Sequence, residues 1–449
     1  MPHDLADDEL GPRERRLAFV LAGQPATEFD LAVIETAYPI GSSVPADPDD
    51  NSTTAPASSP EHAATILSML DRLQHAAFVT HHQAFETSVG LGGVTSGPRW
   101  TVQIPVRRLA LGQALLQDTS GHGATVVRVA DLVWRTLRDA DRVVTGYRRH
   151  PHQHPSGPPG PSVFSDRRQA LAWLTTHGPT VGEYAEALAD LGQHERAWHL
   201  IDGLWPLFLH IKDRPWQARM HVLGLAAAQA WGDPEAQAEM HTRLGMDAIS
   251  SSRHADADQQ FRTALALREK LGNQVGAADV RMMLGRLGIA IAEHLDANPS
   301  PDGVQRRASA LGDAETELHR ALAVYREARA SREMALTQHL LGEHAAMLGA
   351  FEEALELLGR AQIELESLDT PDLYNAALAR AAAGRILTRM GRVQLAWRYL
   401  GQALKSLQQF GSAAEAYRVM DDLAHLIATD AFPDYMVANS TVTPPDTRS

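Results

Sequence analysis

The stretch 341–361, LGEHAAMLGAFEEALELLGRA, decides how the C-terminal half is read. Leu341-Gly342 is followed after eleven residues by Ala354, after three more by Leu358 and after two more by Ala361. Ala354, Leu358 and Ala361 stand four and three apart and so share one helical face, while Leu341-Gly342 falls in a second helix across the turn at Gly349. The same spacing recurs as Leu244, Gly245, Ala257, Phe261, Ala264 and as Ala383, Gly384, Ala396, Leu400, Ala403. A fourth copy, Leu284, Gly285, Ala314, Leu318, Ala321, has its halves pushed apart by an insertion over about 295–310, with Asn298-Pro299-Ser300-Pro301-Asp302-Gly303 at the turn. Small residues where two helices touch, and larger apolar ones where they interlock, predict antiparallel helix pairs that stack into a solenoid. Gly245 and Gly285 are 40 residues apart and Gly342 and Gly384 are 42 apart, a period that calls for long helices.

This grammar resembles the tetratricopeptide repeat (TPR), whose concave face binds proteins or peptides. Counting from the Leu-Gly pairs, the first helix of each unit should present Thr242, Met246 and Ile249, then Asp279, Met282 and Arg286, then His339, Glu343 and Met347, then Arg385, Thr388 and Arg389. Arginine forks suit carboxylates and methionines suit adaptable apolar contact, so an acidic peptide or a C-terminal carboxylate is the implied ligand class. The other reading of each residue is a solvated face without preference. The asparagines of a chaperone carboxylate clamp are missing here.

Composition sets the outer bounds. The 449 residues carry a formal net charge of −14, with 44% apolar and 21% charged residues. A net acidic chain is a poor phosphate binder, so nucleic acid is not the expected partner. No cysteine is present, which removes disulfides, thiolate metal sites and cysteine nucleophiles. No apolar run approaches the ~20 residues of a membrane span, and the N-terminal residues lack the apolar core of a signal peptide. A cytoplasmic protein without membrane contact is expected.

The reading is mostly α: a TPR α-solenoid preceded by a small degenerate winged-helix (α+β) domain. Residues 1–118 make the winged-helix domain, with a disordered loop over 38–60 rich in Pro, Ser and Asp. Short helices over 12–37, with Phe29, Val33 and Ile34 on an apolar stripe, and a helix over 61–76 precede a hairpin from Phe78-Val79-Thr80 and Trp100 to Ile104. A helix over about 106–116 follows. Residues 119–163 hold a helix over about 125–147 and a proline-rich linker, 164–232 TPR-like helical units, 233–410 the repeats, 411–431 a capping helix and 432–449 a disordered tail. Helices are predicted over 166–176, 180–191, 194–211 and 215–231, and Gly232, Gly272, Gly349 and Gly391 mark helix ends.

Several segments in order resemble the C-terminal half of actinobacterial SARP-type STAND regulators, in which an NB-ARC ATPase precedes a winged helix and TPRs. Arg15-Arg16-Leu17 with Phe29-Asp30-Leu31-Ala32, Leu67 to Val79, Phe164-Ser165-Asp166 with Ala170, Trp173 and Leu174, His194 to Trp198, and Gly224 to Ala228 carry the likeness. The resemblance implies a role in bacterial transcriptional or antibiotic-biosynthesis regulation. Two departures matter. No G-x-x-x-x-G-K-[ST] occurs, and none of Lys212, Lys270 and Lys405 follows a glycine. Val102, Gln103 and Ile104, with Pro105 next, stand where the family's nucleotide-sensing Met-His-Asp motif would fall. No nucleotide or other cofactor is expected. The chain is then a free-standing partner-binding protein, or half of a split gene whose partner is a separately encoded NB-ARC ATPase or regulator.

Other signals point to no chemistry. His150, His152 and His154 alternate in a proline-rich tract without supporting carboxylates, so no metal is assigned. Trp173, Trp198, Trp205 and Trp216 read as core. The 61–76 helix offers Arg72 against Glu61 and Asp71, thin support for DNA contact. No catalytic constellation stands out, and the expected function is a non-enzymatic adaptor or sensor. A DNA-contacting transcription regulator and a split subunit of a STAND ATPase switch are the alternatives.

Overall fold

The glycines of the repeated pair lie where two helices come closest. In the computed structural model of the chain, a Cβ added at Gly245 would meet the Phe261 ring at 2.4 Å, and at Gly285, Gly342 and Gly384 it would meet Leu318, Leu358 and Leu400 at 2.5, 2.8 and 2.7 Å. The flanking Ala257, Ala264, Ala314, Ala321, Ala354, Ala361, Ala396 and Ala403 are all fully buried. Each unit therefore closes glycine against Phe or Leu, with alanines keeping the helices close. Burial of each large side chain contributes roughly 1.5–3 kcal/mol.

The structure describes residues 17, 20–21, 24, 28–29, 31–37, 60–75, 79–82, 86–87, 94–95, 99–102, 119–148, 152, 162–210 and 213–428. The chain divides into two compact units, Met1–Leu209 with Pro215–Asp233, and His210–Arg214 with Pro234–Ser449. No described helix is long and apolar enough to cross a membrane.

The first unit carries α1 (Leu31–Ala37) and α2 (Pro60–His75), and strands β1 (Glu28–Phe29), β2 (Val79–His82), β3 (Glu86–Thr87), β4 (Val94–Thr95) and β5 (Arg99–Val102). It also carries α3 (Thr119–Val144), α4 (Arg167–Asp190), α5 (His194–Gly203), most of α6 (Trp205–His210) and most of α7 (Arg214–Trp231). The strands pair antiparallel in the order β1-β5-β2, with Val79 opposite Val102 and Phe29 opposite Trp100, and β3 pairs with β4. Phe29 therefore lies in a strand rather than on the helical stripe it was expected to extend. The expected helix over 106–116, the loop over 38–60 and the tail from 432 lie outside the described residues.

Three helix boundaries differ from the sequence reading. α3 starts at Thr119 and ends at Val144, where a helix over about 125–147 was expected. Residues 167–190 form one helix with Pro179 inside it, where a break between 176 and 180 was expected. Proline removes one backbone donor, but close packing keeps the helix continuous: Cβ atoms at Gly178 and Gly182 would press on Leu207 and on Met220 and Trp216. Conversely, the expected 194–211 helix ends at Gly203 and resumes at Trp205. Gly203 lies under Leu137, where a Cβ would come within 2.6 Å, and Pro206 suits the first turn of the new helix.

The second unit is a run of helix pairs: α8 (Pro234–Ser250) with α9 (His254–Lys270), α10 (Gln274–Ala297) with α11 (Gly303–Ala328), α12 (Ser331–Met347) with α13 (Phe351–Glu366), and α14 (Leu373–Arg389) with α15 (Val393–Gln409). α16 (Ala413–Ala428) closes it against α15 and α14. The insertion lengthens α10 and α11 to 24 and 26 residues, against 17 in α8 and α9, so the extra chain extends one pair. Turns at Gly232, Gly272, Gly349, Gly391 and Gly411 run at φ between 69° and 83°, where a side chain would be strained. Successive pairs are also held by polar links. Asp372 is fully buried at the N-cap of α14, accepting from Asn375 N and from Arg332 Nε at 2.8 Å.

Candidate functional site

First helices of successive pairs touch one another: α8 meets α10, α10 meets α12, α12 meets α14, and α14 meets α16. Contact along that row draws the pairs together on one side, which makes it the inner row of the stack. Polar side chains two helical turns apart on neighbouring inner helices then face the same space.

Arg286 and Glu293 on α10, His339 and Glu343 on α12, Arg385 on α14 and Arg418 on α16 are close enough for their charges to act on one another. Burial pushes the Glu343 carboxyl up. His339 Nε2, 3.4 Å away, outweighs that with the charges of Arg286 and Arg385, and the group is held down to about 2. Glu343 is thus an ionised carboxylate at any ordinary pH. Glu293 is exposed on α10. Burial raises it, the like charge of Glu343 adds to the rise, and Arg286, Arg385 and Arg418 only partly offset it. Arg385 donates to Asp422 at 3.2 Å and Arg418 to Glu415 at 3.2 Å, so the cap helix supplies carboxylates to the same face.

The residues singled out in the sequence thus fall into two sets. Arg286, His339, Glu343 and Arg385 come together here. The others are placed differently. Met246 and Ile249 pack against the core around Phe261. Met282 is buried in the core around Leu318, with Met347 partly buried against it. Thr242 and Thr388 turn their hydroxyls back to Ala238 O and Gly384 O. Asp279 accepts the Tyr325 hydroxyl at 2.7 Å. Arg389 donates to Ala346 O and lies 4.8 Å above the Phe351 ring, at the α12–α13 turn. Glu293, Arg418, Asp422 and Glu415 had not been singled out. Glu293 follows Arg286 by seven residues, two turns of helix, and that spacing was the available signal.

The linker histidines have one described member. The His152 ring packs edge-on to Trp198 at 4.9 Å and to Trp231 at 5.4 Å, in the first unit. Trp198, expected in the core, is 2% exposed. His199 beside it is lowered to about 4 by burial, which Asp202 only partly offsets. Between pH 6.5 and about 4 the unfolded chain binds a proton on this ring that the folded chain does not. Stability should therefore fall as pH drops through that window, by about 3 kcal/mol at its acid end. The His199→Gln variant is expected to flatten that slope, and chemical denaturation at pH 7 and pH 4.5 checks it.

No protein-family model matches the chain, and no curated protein matches it. Among solved structures, BtubC from P. vanneervenii aligns at 15% identity over 62% of this chain and 96% of that chain, with a TM-score of 0.37. A signal transduction ATPase with numerous domains (STAND) protein with a tetratricopeptide repeat sensor, from Pyrococcus horikoshii, aligns at 11% identity over 92% of this chain and 53% of that chain, with a TM-score of 0.36. A circular tandem repeat protein with novel repeat topology aligns at 17% identity over 72% of this chain and 75% of that chain, with a TM-score of 0.28.

Proposed function

We propose that this chain is a non-enzymatic adaptor or sensor that binds a protein or peptide segment in the inner face of its helical repeats. One observation carries the reading: four successive inner helices bring arginines, a histidine and carboxylates to one concave surface. A surface that only needs to stay solvated gains nothing from setting two arginines and a histidine around the Glu343 carboxylate. Preorganised charge of this kind steers and orients a charged partner.

The setting is bacterial regulation, transcriptional or of antibiotic biosynthesis, in line with the resemblance stated for the sequence. The N-terminal part is read as a degenerate winged helix, supported by α2 and by the antiparallel pairing of β2 with β5 that follows it. Direct DNA contact is disfavoured, because among the described residues of α2 the exposed Arg72 has Asp71 next to it and offers phosphate no net positive charge.

A random-peptide library panned against the full chain tests the groove. Peptides recovered on the wild type are expected to bind Arg286→Glu/Arg385→Glu at least about tenfold more weakly, roughly 1.4 kcal/mol. Unchanged affinity in a variant with an unchanged thermal melt would remove the groove from the account.

A further inference from the structure

We infer that the groove takes an extended peptide segment carrying both signs of charge, an acidic group seated at Arg286 and a basic side chain seated at Glu293. This rests on the binding role proposed above and names the chemistry of its ligand.

Several charges of the inner face are already satisfied. Glu343 is matched by His339 at 3.4 Å, Arg385 by Asp422 at 3.2 Å and Arg418 by Glu415 at 3.2 Å. Arg286 and Glu293 are both exposed, and among the described residues neither makes a hydrogen bond or an ion pair. They act on one another at a distance but form no ion pair. Side chains on a helix pair at three or four residues, and these are seven apart, about 10.5 Å along the axis on the same edge of α10. Among the described residues, Arg286 and Glu293 thus give the inner face an open cation and an open anion at a fixed separation.

Their surroundings sharpen the choice of ligand. The strongest charge acting on Glu293 is that of another carboxylate, Glu343 on α12, so a cation placed there is drawn by two acids at once. Arg286 acts on both of those carboxylates yet keeps its own guanidinium exposed, which leaves its fork for an incoming carboxylate. A purely acidic ligand, the class expected from the arginines alone, would have to lie beside Glu293 and Glu343. A purely basic one would have to pass Arg286, Arg385 and Arg418. A segment with both signs meets neither repulsion. An extended chain rises about 3.3 Å per residue, so acid and base should stand three or four residues apart.

The test is an array of synthetic peptides on one neutral Ala/Ser/Tyr frame. Each carries one aspartate, one lysine, or both at spacings from one to seven residues and in both orders, and all are probed with the full chain. Peptides with both charges three or four apart, in one order, are expected to bind at least tenfold more strongly than acid-only or base-only peptides. The double exchange Arg286→Glu/Glu293→Arg is expected to reverse the preferred order while leaving the thermal melt unchanged, since both side chains are exposed. Acid-only peptides binding equally well, indifferent to Glu293→Gln but lost on Arg385→Glu, would overturn this inference and leave the groove as a binding site. Absence of any binding sensitive to these substitutions would overturn both.

Discussion

Replacing Gly288 with alanine is expected to destabilise the second unit by about 2–3 kcal/mol, although the change adds one methyl group and favours helix. Gly288 lies on α10 where it crosses α11. A Cβ there would stand 2.4 Å from the Ala310 carbonyl oxygen and 2.8 Å from the Ala314 Cβ. The first obstacle is backbone, which cannot swing aside like a leucine side chain, so the two helices must separate. That separation would also loosen Leu318 over Gly285 in the same pair. Gly312, on α11, is the matched control. A Cβ there meets nothing within 4 Å, so Gly312→Ala is expected to stabilise by roughly 0.5–1 kcal/mol. Denaturation midpoints of the two variants should move in opposite directions. Equal shifts would show that the close helix contact does not limit this pair.

Arg268→Met is expected to cost about 3–5 kcal/mol, read as loss of hydrogen-exchange protection in α8, α9 and α10 ahead of α14 to α16. The Arg268 side chain is 5% exposed. It reaches from α9 to Glu235 at 3.0 Å and Glu239 at 2.8 Å on α8, and to Gly276 O at 3.1 Å on α10, and so fastens three helices at once. Burial works against its charge, but the two glutamates and Asp279 more than offset this, and its pKa rises. Truncation leaves two carboxylates short of a partner. Glu235 keeps Asn273 and Glu239 keeps Arg243. Adding Glu235→Gln and Glu239→Gln to the variant should recover part of the loss. No recovery would mean that shape, rather than charge, is what Arg268 supplies.

The sequence was most legible where one residue type is forced by contact. The Leu-Gly, Ala, Phe or Leu, Ala spacing located the helix crossings because only glycine fits beneath Phe261, Leu318, Leu358 and Leu400. The insertion over about 295–310 was legible for a similar reason: its turn residues, Asn298 to Gly303, lie between two halves of an otherwise intact pattern, and the helices simply grew. The inner face was only half legible. An inner helix packs against its own partner and two neighbours, so more of its circumference is buried than a two-helix count allows. Met246, Ile249 and Met282 went to the core for that reason. Glu293 was missed because it stands on the part of α10 that the insertion lengthened, and Arg418 and Asp422 because they come from the closing helix, outside the repeat spacing. The continuous helix through Pro179 was not legible, since the packing around Gly178 and Gly182 that sustains it comes from α6 and α7, far along the chain.

Hydrogen exchange on the full chain, with and without an array-selected peptide carrying both charges, tests the central claim most directly. Slowed exchange confined to the inner helices α10, α12 and α14, with the outer helices α11, α13 and α15 unchanged, is the predicted result. Protection on the outer row, or in the first unit alone, would contradict it.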